Sequence, residues 1–553
     1  MAVKGMKRDH GLKLKKRYSV QSAEPFISGV LVLTLSNILV KAIGLFFKIP
    51  MNYIVGDTGM GYYNAAYTIY TFFYMLSTAG LPVAISILVS EARGSGKNTL
   101  IRQILKTALI LLLFIGIIGS GLMLTGAVPL AKWIGAPPAS MCVSVIAPSM
   151  FFVCITGALR GYFQGCQKML PTAVSQVIEA LCKMVFGILF AVYAIRNGFR
   201  PEIVAAYAVC GLTIGTAFSM LYIVIVKCFT KREELPPESA IKPLPTLTLL
   251  KRFVRISFPV TLSASVMSLT NMIDAVLIQR LLQGTGMNQE TATTVYGNYT
   301  SLAVPMFNLP PVFVYPIAYS IVPLISKLRA SENEAEAKYI MSSSLRIASV
   351  IGMPCALGMS ALSGPILEMF YRSDSAQTAA PLLTLLAPSS FFVCLLAITN
   401  SILQAAGNAD KPVYAMLAGG CVKILASILL IKKYGMIGTP LSTFLSYLTV
   451  AVISLYFVFR STGISLSARQ MFLKPLTASV ICVLTARLCY FAFQNILSVR
   501  LAVMLSVLTA AVIYIPMIFI TQLLTAKDLE YIPEKEKIIS ILTKFHIPVK
   551  KDI

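Results

Sequence analysis

Two stretches of the sequence, APSMFFVC at residues 147–154 and APSSFFVC at residues 387–394, agree at seven of eight positions and lie 240 residues apart. Other distinctive residues return at nearly constant spacing: Gln164 and Gln404, and Lys183 and Lys423, at 240 residues; Asn64 and Asn298, and Pro82 and Pro316, at 234. Apolar composition alone does not repeat proline, glutamine and lysine in this way. The chain is therefore predicted to contain two copies of one structural unit.

The composition excludes a soluble protein. The chain has 553 residues, of which 57% are hydrophobic and 12% charged, with a mean hydropathy of +0.78. Soluble globular domains carry about 25% charged residues, and a water-facing protein this apolar would expose large hydrophobic patches. The sequence therefore predicts an integral membrane protein.

Long apolar runs follow one another along most of the chain. Each can cross about 30 Å of hydrocarbon as an α-helix, and helices satisfy their own backbone hydrogen bonds, as lipid requires. The first run lacks a small-residue cleavage site and is predicted to be a retained helix, not a signal peptide. We predict an all-α polytopic membrane protein with fourteen transmembrane helices. The spans are 26–47, 62–90, 104–126, 139–164, 173–195, 203–226, 253–282, 294–326, 342–363, 381–406, 413–431, 436–459, 474–494 and 500–522.

The repeat divides these spans into six plus six, with two more at the end. An even number of spans separates equivalent positions, so both copies begin on the same side of the membrane, as a parallel repeat. Two such bundles facing one another would enclose a cavity whose opening alternates as one rocks against the other. The predicted segments are a basic N-terminal segment 1–25, an N-terminal bundle 26–228, a cytoplasmic linker 229–250, a C-terminal bundle 251–460, two additional helices 474–522 and a cytoplasmic tail 523–553.

The charge of the chain reports its orientation. The sequence carries 47 basic and 22 acidic residues, a net charge of +25. With both termini placed inside the cell, 34 basic residues fall in inward segments and nine in outward loops. Because this bias follows the positive-inside rule, the basic excess indicates a lipid bilayer as partner and no nucleic acid.

The sequence offers little for metal binding or catalysis. Eleven cysteines form no C-x-x-C pair and lie mostly in apolar runs, which is typical of small hydrophobic residues. The two histidines, His10 and His546, lie near the termini. We therefore expect no metal site, no cofactor and no enzymatic activity.

Ionisable residues inside the predicted spans are the strongest functional signal, because a charge at mid-bilayer costs about 2.5–3.5 kcal/mol on insertion scales. Lys183 and Lys423 lie near the centres of the fifth and eleventh spans and are repeat equivalents. As point charges they are candidates to bind a phosphate-bearing headgroup. The alternative for Lys183 is an ion pair with Glu179, four residues earlier on the same helix face; Lys423 has no such neighbour in the sequence.

Further polar residues lie in the first and seventh spans. Lys41 either lines the cavity or extends to the membrane interface. Asn37 and Asn271 are repeat equivalents and are predicted to face the cavity. Asp274, one turn after Asn271, either binds a coupling ion, sodium or a proton, or pairs with a lysine of the facing bundle.

A tyrosine stripe at helical spacing marks the second span: Tyr63, Tyr67, Tyr70 and Tyr74. The favoured interpretation is an interfacial aromatic belt or helix packing. The alternative is a surface that stacks sugars along a cavity wall.

Two further pairs of residues, two prolines and two long polar side chains, lie within or at the ends of predicted spans. Pro82 and Pro316, in the second and eighth spans, either allow a bend that gates transport or are static kinks that fit the packing. Arg160 and Gln164, at the inner end of the fourth span, are predicted to anchor that end at the membrane interface.

Three motifs resemble those of a known family. They are Gly56-Asp57-x-Gly59-x-Gly61-x-Tyr63, the run LSTAGLPVAIS at residues 76–86, and LRGYFQG at residues 159–165 followed by Met169, Pro171, Gln176 and Glu179. On these motifs the chain resembles the stage V sporulation protein B-like family of polysaccharide exporters. That family belongs to the multidrug/oligosaccharidyl-lipid/polysaccharide (MOP) exporter superfamily, beside the lipid II flippases.

The resemblance implies a fourteen-helix flippase of the bacterial cytoplasmic membrane. It would move an undecaprenyl-linked sugar diphosphate, lipid II or a related polysaccharide unit, outward by alternating access, for the vegetative wall or for sporulation. Lipid II flippases bind the diphosphate with arginines on the first, second and eighth spans, where this sequence offers only Lys41. Either Lys183 and Lys423 share that task or the substrate differs.

Two other functions stay open at this point. One is a cation-coupled multidrug antiporter on the same fold, which the scarcity of acidic residues disfavours. The other is a polytopic enzyme, which would need an extramembrane loop or domain with acidic residues, and the outward loops are short.

Overall fold

A computed structural model describes residues 23–94, 98–230, 245–330, 332–408, 410–464, 469–521 and 523. Within these ranges the chain is helical and contains no β-strand. Almost all of the predicted N-terminal segment, most of the linker and nearly all of the tail lie outside the described residues, as do both histidines. The described chain separates into two compact units.

Unit 1 comprises the described residues up to Val55 together with Ala65–Met272. Its helices are α1 (Ala23–Thr78, shared with unit 2), α2 (Leu81–Gly94), α3 (Asn98–Thr125), α4 (Ala127–Ile134), α5 (Ser140–Ile146), α6 (Pro148–Gly165), α7 (Leu170–Arg196), α8 (Pro201–Phe229) and the first part of α9 (Thr246–Gly284); a short 3₁₀ helix covers Pro137–Ala139.

Unit 2 comprises Gly56–Asn64 and the described residues from Ile273 onward. Its helices are the end of α9, α10 (Gln289–Asn298), α11 (Val304–Phe307), α12 (Leu309–Ala330), α13 (Glu334–Ala361), α14 (Ser363–Phe370), α15 (Ser373–Ala405), α16 (Lys411–Tyr434), α17 (Gly438–Thr462), α18 (Lys474–Phe493) and α19 (Val499–Ile520). A π-helix covers Tyr299–Ala303, a second covers Arg469–Leu473, and a 3₁₀ helix covers Gly435–Ile437.

Eleven candidate membrane spans lie among the described residues. Two of them, Leu35–Arg93 and Lys411–Thr462, contain 59 and 52 residues. At about 1.5 Å per residue each exceeds twice the hydrocarbon thickness, so each accommodates the two spans predicted there. The seventh predicted span lies in α9, which is not among the eleven and carries several polar residues. The all-α polytopic fold is confirmed, and the number fourteen stays a prediction.

The long helix α1 is interrupted at Gly56, the first residue of the segment that belongs to unit 2. Gly56 has φ +74°, which lies outside the helical region, and Pro50 lies within the preceding helix. A side chain other than glycine would be strained at that φ. The break separates the first predicted span from the second.

The packing repeats as the sequence does. Arg93 donates a hydrogen bond to the carbonyl of Cys166 at the end of α6, and Arg329 donates one at 3.3 Å to the carbonyl of Ala406 at the end of α15. Donors and acceptors are offset by 236 and 240 residues, close to the repeat spacing. Basic side chains at helix C-termini satisfy the last carbonyls and oppose the helix dipole. The same cap therefore closes one helix in each unit.

A second repeated feature is a close approach of glycine to cysteine. A Cβ added at Gly116 would lie 3.1 Å from the Cβ of Cys154, and one at Gly352 would lie 3.0 Å from the Cβ of Cys394. Both cysteines are buried and unbridged. They pack as small hydrophobic residues, as predicted.

Each unit also contains a segment from the other half of the sequence. In unit 1, Leu249 and Phe253 of α9 join a core formed by α2, α3 and α6, and a Cβ at Gly80 would lie 2.2 Å from the carbonyl oxygen of Ser257. In unit 2, a Cβ at Gly61 would lie 2.3 Å from the carbonyl oxygen of Thr293. The division therefore falls inside α9, after Met272, and not in the linker 229–250. The predicted bundle limits describe the repeats and stay a prediction.

The last two helices belong to unit 2, and the short helix α4 belongs to unit 1. In unit 2, α18 and α19 pack on α13 through a cluster that includes Ala478 and Tyr514. The Tyr514 hydroxyl donates a 2.8 Å hydrogen bond to the carbonyl of Val350. In unit 1, α4 carries Trp133, the only tryptophan in the sequence, with 41% of its surface exposed.

Candidate functional site

In unit 2, the mid-membrane lysine lies in an ion pair. Lys423 Nζ, on α16, lies 3.0 Å from Asp274 Oδ2 on α9, and the two side chains are 13% and 12% exposed. Asp274 Oδ1 is buried and accepts no hydrogen bond from the described residues. The pairing expected for Asp274 is present, but with a lysine of its own unit and not of the facing bundle. Sequence distance hides this pair, because the partners lie 149 residues apart.

A tyrosine at the start of a π-helix lies near this pair. Tyr299 begins the π-helix Tyr299–Ala303, and its hydroxyl lies 3.5 Å from Thr443 Oγ1 on α17. Tyr299 and Tyr447 both lie within electrostatic range of Lys423. A π-turn shifts the register of the side chains that follow it and occurs often at functional sites. Four elements of unit 2 thus surround one neutral ion pair.

In unit 1, the equivalent lysine has different neighbours. Lys183 Nζ, on α7, lies 4.8 Å from the ring centroid of Tyr67 and 5.3 Å from that of Phe47. These are cation–π distances. Among the described residues no carboxylate pairs with Lys183, so the ion pair with Glu179 considered above is not formed.

Glu179 pairs with an arginine. Arg160, on α6, places Nη2 2.9 Å from Glu179 Oε2, and its other hydrogen bonds go to Ser175 Oγ and Ser219 Oγ at 2.9 and 3.0 Å. The Arg160 side chain is 13% exposed. It therefore does not anchor the end of α6 at the membrane interface, because a carboxylate and two hydroxyls hold it inside the unit. Sequence reasoning missed this role, which joins α6, α7 and α8.

The tyrosine stripe follows α1 past this charged group. Tyr67, Tyr70 and Tyr74 have ring centroids 6.1 and 5.8 Å apart in succession. All three lie within electrostatic range of Glu179. Tyr63 is buried and belongs to the stretch of α1 that packs in unit 2.

In the first predicted span, one side of α1 is packed and another is exposed. Ser36 donates a 2.9 Å hydrogen bond to the carbonyl of Ala173, and Phe47 is buried, so this side of α1 packs on α7. Asn37 and Lys41 are exposed, and Lys48 is partly buried within electrostatic range of Lys183. Lys48 and Lys183 therefore lie near one another in unit 1, where Glu179 is paired with Arg160.

The remaining predicted site residues are placed as follows. Pro82 is the second residue of α2, where proline costs no helical hydrogen bond, and it packs against Gly157 and Gly161 of α6. Pro316 lies within α12 and is exposed. Asn271 is exposed on α9. The structure does not bring these residues into either charged group, and their gating and binding roles stay predictions.

Among the described residues, no three His, Cys, Asp or Glu side chains lie together, and the expected absence of a metal site stays a prediction. The group around Lys183 and Arg160 in unit 1 and the group around Lys423 in unit 2 combine basic side chains, carboxylates, hydroxyls and aromatic rings. Such an arrangement binds ions and polar ligands by charge and hydrogen bonding.

Comparison with known families decides the relationship of the chain. A family model described as "Polysaccharide biosynthesis protein" matches residues 26–329, more than half of the sequence. The chain belongs to the polysaccharide biosynthesis protein family. A second model, MatE, matches residues 259–429.

The relatives of the chain include proteins of Bacillus subtilis. The uncharacterized membrane protein YabM is 28% identical over 77% of this chain and 79% of its own length. Lipid II flippase MurJ is 25% identical over 79% and 83%, and stage V sporulation protein B is 25% identical over 92% and 98%. The resemblance expected from the motifs is confirmed.

Solved structures share the fold of the chain. Lipid II flippase MurJ in an inward closed conformation superposes with a TM-score of 0.65 at 16% identity, covering 88% of this chain and 98% of that one. A MATE family multidrug resistance transporter of the MOP superfamily, in an inward-facing conformation, superposes with a TM-score of 0.63 at 16% identity, covering 78% and 94%. The MATE/MurJ-like fold is therefore confirmed.

Proposed function

We propose that this protein is a flippase that exports an undecaprenyl-linked cell-wall sugar precursor, lipid II or a related polysaccharide unit, by alternating access. It acts in the bacterial cytoplasmic membrane with both termini inside, and it performs no catalysis. Family membership and the names of its relatives, a lipid II flippase and a stage V sporulation protein, support this proposal. A role in sporulation rests on the second of those names.

The single observation that carries the proposal is the charge balance of unit 1. Arg160 neutralises Glu179, whereas Lys183 lies against the rings of Phe47 and Tyr67 and pairs with no carboxylate among the described residues. Uncompensated positive charge is costly away from water unless an anionic ligand accompanies it. A diphosphate would supply that negative charge, so we assign its binding to unit 1, with Lys183 as the principal contact.

The exposed side of α1 would extend this binding surface. Asn37 and Lys41 lie on one face of the helix, four residues apart, and both are exposed. A lysine facing lipid at this depth would cost about 2.5–3.5 kcal/mol on insertion scales. We therefore place Asn37 and Lys41 along the water-filled transport path, where Asn271, the repeat counterpart of Asn37, would also lie.

A cation-coupled multidrug antiporter is the second candidate, favoured by the MatE match over residues 259–429. Such a transporter needs a carboxylate to bind its coupling cation, and Asp274 is the candidate for sodium or a proton. Asp274 is paired with Lys423, and Glu179 is paired with Arg160. Because both carboxylates are occupied by basic side chains, the first proposal is the stronger.

Reconstitution in proteoliposomes tests the two candidates against each other. The purified protein is assayed with fluorescent lipid II and, separately, with a cationic dye. We expect lipid II to cross the bilayer and the dye to be retained. Translocation of the dye without lipid II would overturn the proposal in favour of the antiporter.

A variant series locates the diphosphate. Lys183→Ala is expected to lower lipid II translocation at least tenfold, the equivalent of about 1.4 kcal/mol, and Lys183→Arg to retain most of it, since the positive charge remains. Lys432→Ala removes an exposed lysine at the end of α16 and serves as the matched control, with no expected change. Equal rates for Lys183→Ala and the control would remove Lys183 from the site.

A further inference from the structure

The stripe Tyr67, Tyr70 and Tyr74 forms one continuous aromatic face in unit 1. Residues three and four apart lie on the same side of a helix, and successive ring centroids are 6.1 and 5.8 Å apart, with interplanar angles of 39° and 40°. Tyr70 in the middle is 4% exposed, whereas Tyr67 and Tyr74 are partly exposed. The outer two rings are therefore partly accessible, whereas the middle ring is buried between them.

The neighbours of this face are polar side chains. Lys183 Nζ lies 4.8 Å from the centroid of Tyr67, and Glu179 is within electrostatic range of all three tyrosines. Rings of an interfacial aromatic belt sit at the headgroup level of the bilayer. These rings also lie beside Lys183 and Glu179 of α7, which favours the sugar-stacking alternative, and the belt or packing interpretation stays a prediction.

Helix α7 presents a polar stripe beside the rings. Gln176, Glu179 and Lys183 follow one another at intervals of three and four residues, so they share one side of the helix. The Gln176 Oε1 atom is buried and accepts no hydrogen bond from the described residues. A buried amide oxygen without a partner loses about 1–3 kcal/mol relative to a satisfied one, so a ligand hydroxyl donating to it would be favoured.

This combination of groups has the chemistry of a carbohydrate site. A pyranose ring has one apolar C–H face, which packs on aromatic rings, and hydroxyl edges, which donate to carboxylate and amide oxygens. The lysine at one end of the stripe supplies the charge that a phosphate on the same sugar requires.

We propose that unit 1 contains a carbohydrate subsite in which Tyr67 and Tyr74 stack on a pyranose of the lipid-linked substrate. Its hydroxyl groups are accepted by Gln176 and by the Oε1 atom of Glu179, whose other oxygen, Oε2, is bound by Arg160. The ligand class is a hexose or N-acetylhexosamine attached to a diphosphate, with the diphosphate at Lys183. This inference rests on the proposed function and extends it, because it assigns sugar recognition and phosphate recognition to different side chains of one unit.

Binding of two lipids to the full chain in nanodiscs tests the subsite. One probe is undecaprenyl diphosphate, and the other is undecaprenyl diphosphate bearing one N-acetylhexosamine. Tyr67→Leu and Tyr74→Leu are each expected to weaken binding of the sugar-bearing lipid about three- to tenfold, from the loss of one aromatic contact. Binding of the sugar-free lipid is expected to stay within twofold of the wild type.

Three further variants protect the test against misfolding and unspecific effects. Tyr67→Phe keeps the ring and is expected to bind both lipids like the wild type. Gln176→Met replaces the amide by a side chain of similar length and is expected to weaken only the sugar-bearing lipid, about threefold or more. Tyr319→Leu removes an exposed ring of the stacked pair Tyr315–Tyr319 in unit 2 and is the matched control, with no expected change.

The outcomes separate this inference from the proposed function. If wild type binds both lipids equally and the tyrosine and glutamine variants change neither, the carbohydrate subsite is overturned while the flippase proposal stands. If wild type binds neither lipid, the proposed function itself fails. If the leucine variants weaken both lipids alike, the tyrosines act on the diphosphate or on folding, and the subsite is again overturned.

Discussion

Lys183 and Lys423 occupy equivalent positions in the two repeats, yet they are stabilised by different means. In unit 2, a carboxylate 3.0 Å away neutralises Lys423. In unit 1, aromatic rings contact Lys183, and the nearby carboxylate is bound by Arg160. The first arrangement is closed and neutral. In the second, no carboxylate among the described residues pairs with Lys183, and we propose that an anionic ligand does so.

The difference arises from substitutions on a shared framework. Val40 stands in the first repeat where Asp274 stands in the second, and Asn400 stands where Arg160 stands in the first. Glu179 has Gly419 as its counterpart, where an added Cβ would lie 2.1 Å from Cγ2 of Val450. No carboxylate fits at that position in unit 2. The equivalent helices α7 and α16 therefore place their lysines among different neighbours, aromatic rings in unit 1 and a carboxylate in unit 2.

The largest expected effect breaks the neutral pair. Lys423→Met leaves Asp274 buried without its partner, and removing one member of a buried ion pair costs about 3–5 kcal/mol in the free energy of unfolding. Lys183→Met, the matched variant in unit 1, loses only cation–π contacts, worth about 1–2 kcal/mol. Chemical unfolding in detergent micelles measures both.

A double substitution sharpens this result. Asp274→Asn with Lys423→Met removes both charges and is expected to recover most of the lost stability. If Lys423→Met is instead as stable as wild type but no longer binds undecaprenyl diphosphate, the two lysines are functionally alike, and the contrast between the units disappears.

The next effect concerns the ion pair of unit 1. Arg160→Leu leaves Glu179 without its donor, and we expect a loss of about 2–3 kcal/mol of unfolding free energy, since a charged acceptor is left unsatisfied. Adding Glu179→Gln should restore a large part of it. If Arg160→Leu proves neutral, Arg160 behaves as the interfacial anchor that its sequence position suggested.

A smaller loss of unfolding free energy is expected where glycines allow helices to approach closely. One such glycine, Gly61, lies in α1, and another, Gly80, follows the end of α1. Gly61→Ala in unit 2 and Gly80→Ala in unit 1 each place a Cβ within 2.3 Å of a backbone oxygen, and overpacking of this kind costs about 1–3 kcal/mol. At Gly44 a Cβ meets nothing within 4 Å, so Gly44→Ala is the control and should be neutral or stabilising. Thermal unfolding of the three variants side by side decides the matter.

The smallest effect is expected at an exposed ion pair. Arg252 and Glu91 lie 2.9 Å apart in unit 1, but their side chains are 46% and 53% exposed. Exposed pairs contribute at most about 1 kcal/mol, so Arg252→Gln should change the unfolding free energy by less than the Arg160 substitution does. A loss as large as that of Arg160→Leu would show that exposure does not determine the strength of these pairs.

Much of the fold could be predicted because it depends on local signals. Apolar runs of helical length predicted most of the spans, and repeated Pro, Gln and Lys residues predicted the duplication that the Arg93 and Arg329 caps display in the packing. The limits of the units could not be predicted in this way. They depend on Gly61 and Gly80 approaching helices more than 170 residues away in sequence.

The candidate site divides in the same manner. Intramembrane charge identified Lys183, Lys423, Glu179 and Asp274, because such residues are rare in lipid-facing segments. Their partners could not be predicted. Lys423 pairs with a residue 149 positions away, and Arg160 is held inside the unit by hydrogen bonds to Ser175 and Ser219. Sequence spacing within one helix favoured Glu179 with Lys183, but a better-placed guanidinium on another helix takes that carboxylate.

The position of Trp133 has a practical consequence for spectroscopy. As the only indole of the chain, it lies on a short helix of unit 1 and is partly exposed, so tryptophan emission originates from one unit alone and the other unit is dark. A change of emission on adding a lipid-linked sugar can therefore be attributed to unit 1 without labelling. A second indole introduced at Phe472 of unit 2 would give the complementary reporter, and the two signals could be followed in separate preparations.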